Sequence, residues 1–167
     1  MIYLVRHAHA GRKDDWTAPD ALRPLSDSGR EEATGLVAGL RDLPVARILS
    51  SPATRCLQTV EPLARQRILA IEVDDGLGVH ASPARARGLL DDLASTAAVL
   101  CTHGELIGQV LRQLAAEGLP LPGSPHWPKG STWIIDRDGR GRPRASYLPP
   151  ARVPAAASPD PVGRPAV

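Results

Sequence analysis

The chain has 167 residues, of which 43% are apolar, and this length suffices for one domain with a buried core. The formal net charge is only +2, and no apolar run approaches the roughly 18 residues of a membrane span, so a nucleic-acid-binding protein and a membrane protein are both disfavoured. Arg6 and His7 interrupt the first apolar run too early for a signal peptide, and we predict a cytoplasmic protein.

Short apolar runs alternate with segments of helical periodicity along the chain. Strands are predicted at residues 2–5, 46–50, 71–73, 97–102, 131–136 and 145–148. Helices are predicted at residues 25–43, 51–66, 82–94 and 104–118. Asp27 or Ser28 is expected to cap the first helix, whereas Ser51 and Ser82, each followed by proline, are expected to cap the second and third.

This alternation predicts an α/β fold, specifically a three-layer α/β/α sandwich with a mostly parallel central sheet. The last two strands are expected to form an antiparallel hairpin at the edge of that sheet. We expect a single domain over residues 1–148, followed at 149–167 by a flexible tail rich in proline and alanine. Cys56 and Cys101 share no motif spacing and are expected to be buried free thiols.

Charged and polar residues follow three of the predicted strands. The first strand ends in Arg6 and His7, the second leads into a helix that carries Arg55, and the fourth ends before His103 and Gly104. Ligands of an open α/β sheet bind at the carboxyl ends of its strands. Two arginines and two histidines beside a helix N-terminus therefore predict a site for a phosphate-like anion.

The chemistry of these residues favours phosphoryl transfer. A neutral imidazole can attack phosphorus and form phosphohistidine, a covalent intermediate that divides one difficult reaction into two easier steps. A second, protonated imidazole and the two arginines would balance the charge of the transferring phosphoryl group. His9, two positions after His7, is expected to line the mouth of this pocket.

Two alternatives stay open on the sequence. His7 and His9 have the spacing of metal ligands in an extended segment, and His103 could be a third ligand in a metal-dependent hydrolase. Arg6 and Arg55 argue against this alternative because they would repel the metal cation. The second alternative is a non-catalytic module that binds phosphate or phosphoproteins and serves regulation.

Three segments, in this order, resemble the histidine phosphatase superfamily with its phosphoglycerate-mutase-like fold: LVRHAHAG, SSPATRCLQT and CTHGELI. The short length resembles the SixA-type bacterial branch of that superfamily. The segment KGSTW is similar to the phosphatase-like domains that are fused to Nudix hydrolases in actinobacteria. Together the three segments extend the resemblance over most of the predicted domain.

The resemblance implies a phosphatase that uses no metal ion and no organic cofactor. It implies that His7 is the nucleophile and that Arg6, Arg55 and His103 complete the phosphate pocket, with Gly104 beside them. The implied substrate is a phosphohistidine protein or a small phosphorylated metabolite or nucleotide. A monomer is expected, and neither a nucleic acid polymer nor a membrane is an expected partner.

The chain departs from the family pattern in two places. Ala8 replaces the usual glycine, and residues 78–80 lack the acidic proton donor that the family carries there. Asp75, Asp74 and His80 are the candidates to replace that donor, and a structural role in a turn is the alternative for the two aspartates. A missing acid favours a phosphohistidine, phosphoramidate or phosphoanhydride over an alkyl phosphate, because an alkoxide leaves poorly without a proton. Lys129 lies in the predicted loop SPHWPKGS and is either a substrate-selecting residue or an ordinary surface residue.

Overall fold

The apolar run at the start of the chain forms a central strand of a six-stranded sheet. The computed structural model describes residues 1–150. The strands are β1 (Ile2–Arg6), β2 (Arg47–Ser50), β3 (Ile71–Val73), β4 (Ala98–Thr102), β5 (Thr132–Arg137) and β6 (Pro143–Leu148). The helices are α1 (Asp27–Gly39), α2 (Thr54–Arg67), α3 (Pro83–Asp92) and α4 (Gly104–Ala116). The predicted tail falls mostly on residues 151–167, which lie outside the described residues.

The strand order is β3-β2-β4-β1-β5-β6, and the first four strands are parallel. β5 pairs antiparallel with β1, and β6 pairs antiparallel with β5 at the edge. The predicted mixed sheet and its edge hairpin are therefore confirmed. Arg6 lies opposite Thr102 in the register of β1 and β4, so these two strands end at the same level of the sheet.

Alternate residues of β1 contact two separate cores, because successive side chains of a strand point to opposite faces. Ile2 and Leu4 pack in one core with α3 and α4. Tyr3 and Val5 pack in the other core with α1 and α2. The helices thus cover both faces of the sheet, as the three-layer prediction requires.

The N-caps of α1 and α3 are formed by serine hydroxyls. Ser82 caps α3, as predicted, and accepts a hydrogen bond from the backbone N–H of Arg85 at 3.2 Å. For α1 the prediction of Asp27 or Ser28 is wrong, since Ser26 is the cap and accepts from the N–H of Gly29 at 3.1 Å. The helical periodicity locates α1 correctly but does not distinguish between neighbouring polar residues at its start.

The predicted cap of α2 is also wrong. The N-cap of α2 is Ala53, and the hydroxyl of Ser51 hydrogen-bonds to His103 instead. Cys56 and Cys101 are both free and buried, as predicted. Within residues 1–150, no helix has the length and apolarity needed to cross a membrane.

Candidate active site

The two predicted histidines meet at the carboxyl edge of the sheet. His7 follows β1 and His103 follows β4, and the backbone N–H of His7 donates to the carbonyl of Thr102 at 2.9 Å. The centroids of the two imidazole rings are 5.3 Å apart, and the rings meet edge to face at 62°. The parallel pairing of β1 with β4 therefore brings together two histidines that are 96 positions apart in the sequence.

The His7 ring is buried, with 6% of its surface exposed, and its hydrogen bonding fixes one tautomer. Nδ1 lies 2.8 Å from the carbonyl oxygen of Ala8. A carbonyl oxygen only accepts, so Nδ1 carries the ring proton and Nε2 keeps its lone pair. The pKa of His7 is lowered to about 3, mainly by burial and further by the charges of His103, Arg55 and Arg6, while the Ala8 hydrogen bond opposes the shift. The ring is therefore neutral at physiological pH.

The His103 ring is held from the side of β2 and α2. Its Nε2 lies 2.9 Å from the hydroxyl of Ser51 and 3.7 Å from the thiol of Cys56. His103 is also the N-cap residue of α4, and its side chain makes no capping hydrogen bond. The first amides of any α-helix lack a partner within the helix, and in α4 the His103 side chain does not cap them. The positive end of α4 therefore faces the same edge of the sheet as the two histidines.

The Arg6 guanidinium lies flat against the start of α4. A Cβ atom on Gly104 would be only 2.8 Å from Cζ of Arg6, so this contact requires glycine. Nη1 of Arg6 donates to the carbonyl of Trp127 at 2.8 Å. On the outer side of Arg6 there is a cleft of about 370 Å³, which Trp127 and Arg112 also line. Gly104 therefore lets the Arg6 guanidinium lie between the N-terminus of α4 and the cleft.

Arg55 is 3% exposed, although arginine is rarely buried without a partner. Its partner is Asp20: Nη1 donates to the Asp20 carbonyl at 2.7 Å, and Nη2 donates to the carboxylate at 3.1 Å. The Nε atoms of Arg6 and Arg55 are buried and have no hydrogen-bond partner among the described residues. Unpaired buried donors are uncommon, and Nε of Arg67, outside the site, is a third; at Arg6 and Arg55 a bound anion would satisfy the donor.

Asp20 belongs to the site although the sequence does not point to it. It lies in a short 3-10 turn, Asp20–Leu22, and also accepts from Nε of Arg23 at 2.8 Å. Burial raises the pKa of Asp20, but the Arg23 hydrogen bond and the charge of Arg55 outweigh this, so the net shift is downward. The sequence around Asp20 gives no sign that this residue pairs with Arg55, because the contact depends on the tertiary fold.

His9 is held away from the pair of histidines by contacts of its own. Its Nδ1 lies 2.7 Å from the hydroxyl of Ser26, and its backbone N–H donates to Glu32 at 2.9 Å. Among the hydrogen bonds of residues 1–150, none joins His9 to Arg6, His7, Arg55 or His103. Its place at the pocket mouth stays a prediction.

The two candidate proton donors are exposed. Asp75 begins a 3-10 turn after β3, and His80 follows that turn. In the described part of the chain, no hydrogen bond or ion pair links either side chain to the histidines or arginines of the site. The structure thus brings together Arg6, His7, Arg55, His103 and Gly104, and within residues 1–150 it bonds neither Asp75 nor His80 to them. Over the same residues, no group of three or more His, Cys, Asp or Glu side chains is arranged to hold a metal ion.

Comparisons with known proteins bear on the family and the fold of the chain. Residues 2–78 match the histidine phosphatase superfamily (branch 1). An 8-oxo-(d)GTP phosphatase of Mycolicibacterium smegmatis is 31% identical over 154 residues, which is 89% of this chain and 48% of that protein. The chain therefore spans about half the length of this curated relative.

Two solved structures of SixA proteins are also similar. A protein of Agrobacterium tumefaciens assigned as a phosphohistidine phosphatase SixA is 29% identical, with a TM-score of 0.64, over 90% of this chain and 97% of that chain. A protein histidine phosphatase SixA complexed with tungstate is 22% identical, with a TM-score of 0.69, over 89% and 96% of the two chains. The second similarity concerns the fold alone.

Proposed function

Because the chain belongs to branch 1 of the histidine phosphatase superfamily, we propose that it is a phosphatase whose nucleophile is Nε2 of His7. The predicted family is confirmed. Membership of this family makes the chain a hydrolase of the histidine phosphatase superfamily. The proposal goes further in naming the residues and the covalent intermediate. It also holds that the reaction needs neither a metal ion nor an organic cofactor.

The observation that carries the proposal is the bond between Nδ1 of His7 and the carbonyl oxygen of Ala8, at 2.8 Å. This bond supports a ring with its proton on the side away from the reaction and an unprotonated Nε2. The low pKa of His7, about 3, keeps that nitrogen nucleophilic at neutral pH.

The phosphate pocket consists of Arg6, Arg55, His103 and the first amides of α4. The unpaired Nε atoms of the two arginines are donors for the phosphoryl oxygens. The N-terminus of α4 begins at Gly104 and adds a partial positive charge. Together these groups would stabilise the charge that develops on the phosphoryl oxygens during transfer.

The reaction has two steps. In the first, Nε2 attacks phosphorus, the N–P bond forms, and the bond from phosphorus to the leaving atom breaks with its electron pair on the leaving group. In the second, water attacks phosphorus, the N–P bond breaks, and the products are inorganic phosphate and neutral His7. The water gives its oxygen to the phosphate, and one of its protons goes to the solvent. The enzyme is thus returned to its starting state.

The substrate is a phosphorylated molecule with a leaving group that departs easily. Asp75 and His80 are exposed, and within residues 1–150 neither forms a hydrogen bond or ion pair with His7, His103 or the two arginines, so neither is held in place to protonate a poor leaving group. The names of the relatives give two candidates, a phosphohistidine protein and an oxidised guanine nucleotide. Two buried free thiols are typical of a reducing compartment, and a cytoplasmic location stays the prediction.

A trapping experiment tests the proposed function. The protein is incubated with a radiolabelled phosphodonor, such as phosphoramidate or a nucleoside triphosphate, in the presence of EDTA and is then quenched in base. We expect label that survives base and is lost in acid, as for phosphohistidine. His7→Ala should take up no label, whereas His126→Ala, which removes an exposed histidine, should take up label normally. If the protein binds phosphate but takes up no label from any donor, the non-catalytic module replaces this proposal.

A further inference from the structure

Lys129 is held beside the phosphate pocket by its neighbours in the chain. The carbonyl of Trp127 accepts the hydrogen bond from Arg6. The backbone N–H of Gly130 lies 3.2 Å from the carbonyl oxygens of both Arg6 and His7. Residues on both sides of Lys129 are thus bonded to the end of β1, so the backbone of Lys129 is fixed next to the strand that carries Arg6 and His7.

The backbone around Lys129 is also fixed by close packing. Gly130 has a φ of +75°, which an L-amino acid rarely adopts, and a Cβ atom on it would be 2.8 Å from Oε2 of Glu32. The indole of Trp127 packs against Gly108 of α4 so closely that a Cβ on Gly108 would collide with it. The loop at residues 127–130 is therefore packed in place against the rest of the protein, unlike an ordinary surface loop.

The charges that surround Lys129 are mainly positive. Burial lowers its pKa, and so do the charges of Arg6, Arg23 and Arg55, while Glu32 alone opposes them. Within residues 1–150, Lys129 takes part in no ion pair and no side-chain hydrogen bond. A half-buried cation that faces other cations without a bonded anion is typical of a site for an anionic ligand.

The position of Lys129 relative to the inner pocket suggests which anion it binds. His7, Arg55 and His103 are 6%, 3% and 3% exposed, whereas Lys129 is partly open to solvent. An inner phosphoryl group would be surrounded by the buried residues, and Lys129 would lie at the rim, on the path of the leaving group. A cation there can stabilise a leaving group that is itself an anion.

We propose that Lys129 forms a second anion subsite, which binds a phosphoryl group joined to the one that His7 attacks. The preferred substrate is therefore a phosphoanhydride, and this inference rests on the proposed function. In the first step the P–O bond of the anhydride breaks with its electron pair on the bridging oxygen. The leaving group departs as a phosphate anion, paired with the ammonium of Lys129, and needs no proton from an enzyme acid. This accounts for a site in which, among residues 1–150, no acid is bonded to His7 or His103.

The test compares the binding of two non-reacting probes by calorimetry, methylenediphosphonate and inorganic phosphate. EDTA is present so that metal binding by the diphosphonate does not contribute. The wild-type protein should bind the diphosphonate more tightly than phosphate. Lys129→Met should reduce the ratio of the two affinities about tenfold, as expected for the loss of one charge-assisted contact, and Lys129→Arg should largely restore it.

Two matched variants keep this test specific. Lys13→Met removes the only other lysine, which is exposed on the loop after β1, and should leave the ratio unchanged. Arg112→Met removes the exposed arginine of the cleft beside Arg6. The inference is overturned if the Arg112 variant loses the preference for diphosphonate and the Lys129 variant keeps it, or if the wild type shows no such preference.

The binding test and the trapping experiment fail independently. Binding needs no turnover, so a preference for diphosphonate that depends on Lys129 supports the subsite even if no phosphoenzyme forms. Conversely, a phosphoenzyme on His7 with an unchanged ratio in Lys129→Met overturns the subsite and leaves the proposed function standing. A further gain in affinity for the α,β-methylene analogue of guanosine diphosphate, over methylenediphosphonate, assigns the diphosphate to a nucleotide. Equal affinities for the nucleotide analogue and methylenediphosphonate indicate that the substrate is a smaller phosphoanhydride.

Discussion

Asp20 holds Arg55 at two points, through its backbone carbonyl at 2.7 Å and its carboxylate at 3.1 Å. The arginine is buried at the start of α2, whereas the aspartate lies in the loop after β1. The loop therefore supplies the counter-ion that keeps Arg55, an arginine of the proposed phosphate pocket, ordered without a bound anion.

Asp20→Ala is expected to lower the free energy of unfolding by about 1–3 kcal/mol, because it leaves the buried guanidinium of Arg55 without its charged partner. Urea denaturation followed by circular dichroism measures this change. Asp15→Ala is the matched control in the same loop. Asp15 pairs with Arg12 at 3.7 Å while both side chains are largely exposed, so its removal should change stability by less than about 0.5 kcal/mol. Equal effects of the two substitutions would contradict a structural role for Asp20.

The contribution of Asp20 should disappear in acid. The pKa of Asp20 is lowered in the folded protein, so the folded state favours the ionised carboxylate more than the unfolded state does. Its stabilising effect is present above the unfolded pKa, about 4, and is lost as pH falls through the lower folded value. The difference in unfolding free energy between wild type and Asp20→Ala should therefore be constant from pH 5 to 7 and shrink below about pH 4. If the difference in unfolding free energy instead grows in acid, the pKa of Asp20 is raised and not lowered by folding.

The fold and the four central residues could be predicted because their signals are local. The central strands β1 and β4 are short apolar runs, and Arg6, His7 and His103 directly follow these runs. The topology then brings the ends of parallel strands to one edge. Asp20 could not be predicted in this way, since its contact with Arg55 joins a loop to a helix across 35 positions. No periodicity encodes such a contact.

Ser51 shows a different limit of sequence reasoning. A serine followed by proline before a helical segment is a sound cap signal, and it holds for Ser82. At Ser51 the same signal fails: the helix begins later, at the Ala53 cap, and the Ser51 hydroxyl accepts from the N–H of Ala53 at 3.3 Å and also bonds His103, which is 52 positions away. The local rule is overridden at a functional site, where tertiary contacts decide the conformation.

The imidazole of His7 should not titrate between pH 5 and 8, because its pKa is about 3. NMR of the histidine ring protons measures this, with His7→Gln used to assign the His7 signal. The unfolded chain takes up this proton near pH 6.5, so the wild type should lose stability as pH falls from about 6.5 to 3. His7→Gln should lack this part of the dependence, which amounts to at most about 1.4 kcal/mol per pH unit. A His7 signal that shifts with a midpoint near 6.5 would contradict a buried neutral nucleophile.

Gly104→Ala is expected to weaken phosphate binding about tenfold or more, because the new methyl group would displace the guanidinium of Arg6 from the pocket. Calorimetric titration with inorganic phosphate measures the loss. Gly88→Ala is the matched control, since a Cβ on Gly88 meets no atom within 4 Å. That variant should bind phosphate normally and gain about 0.5–1 kcal/mol of stability from the helical preference of alanine. Normal phosphate binding by Gly104→Ala would mean that Arg6 does not bind the anion.

Ser51→Ala is expected to lower the rate of phosphoenzyme formation about tenfold while changing the affinity for phosphate little. The hydroxyl of Ser51 lies 2.9 Å from Nε2 of His103 and does not itself reach His7, so its role is to orient the second imidazole. Without this bond the ring keeps only the weak contact with Cys56, at 3.7 Å, and is free to rotate away from the transferring group. Rapid-quench kinetics measures the rate, and Ser51→Thr, which keeps the hydroxyl, should recover most of it. A loss that Ser51→Thr does not recover, or one that falls equally on phosphate affinity, would indicate a packing role and not an orienting one.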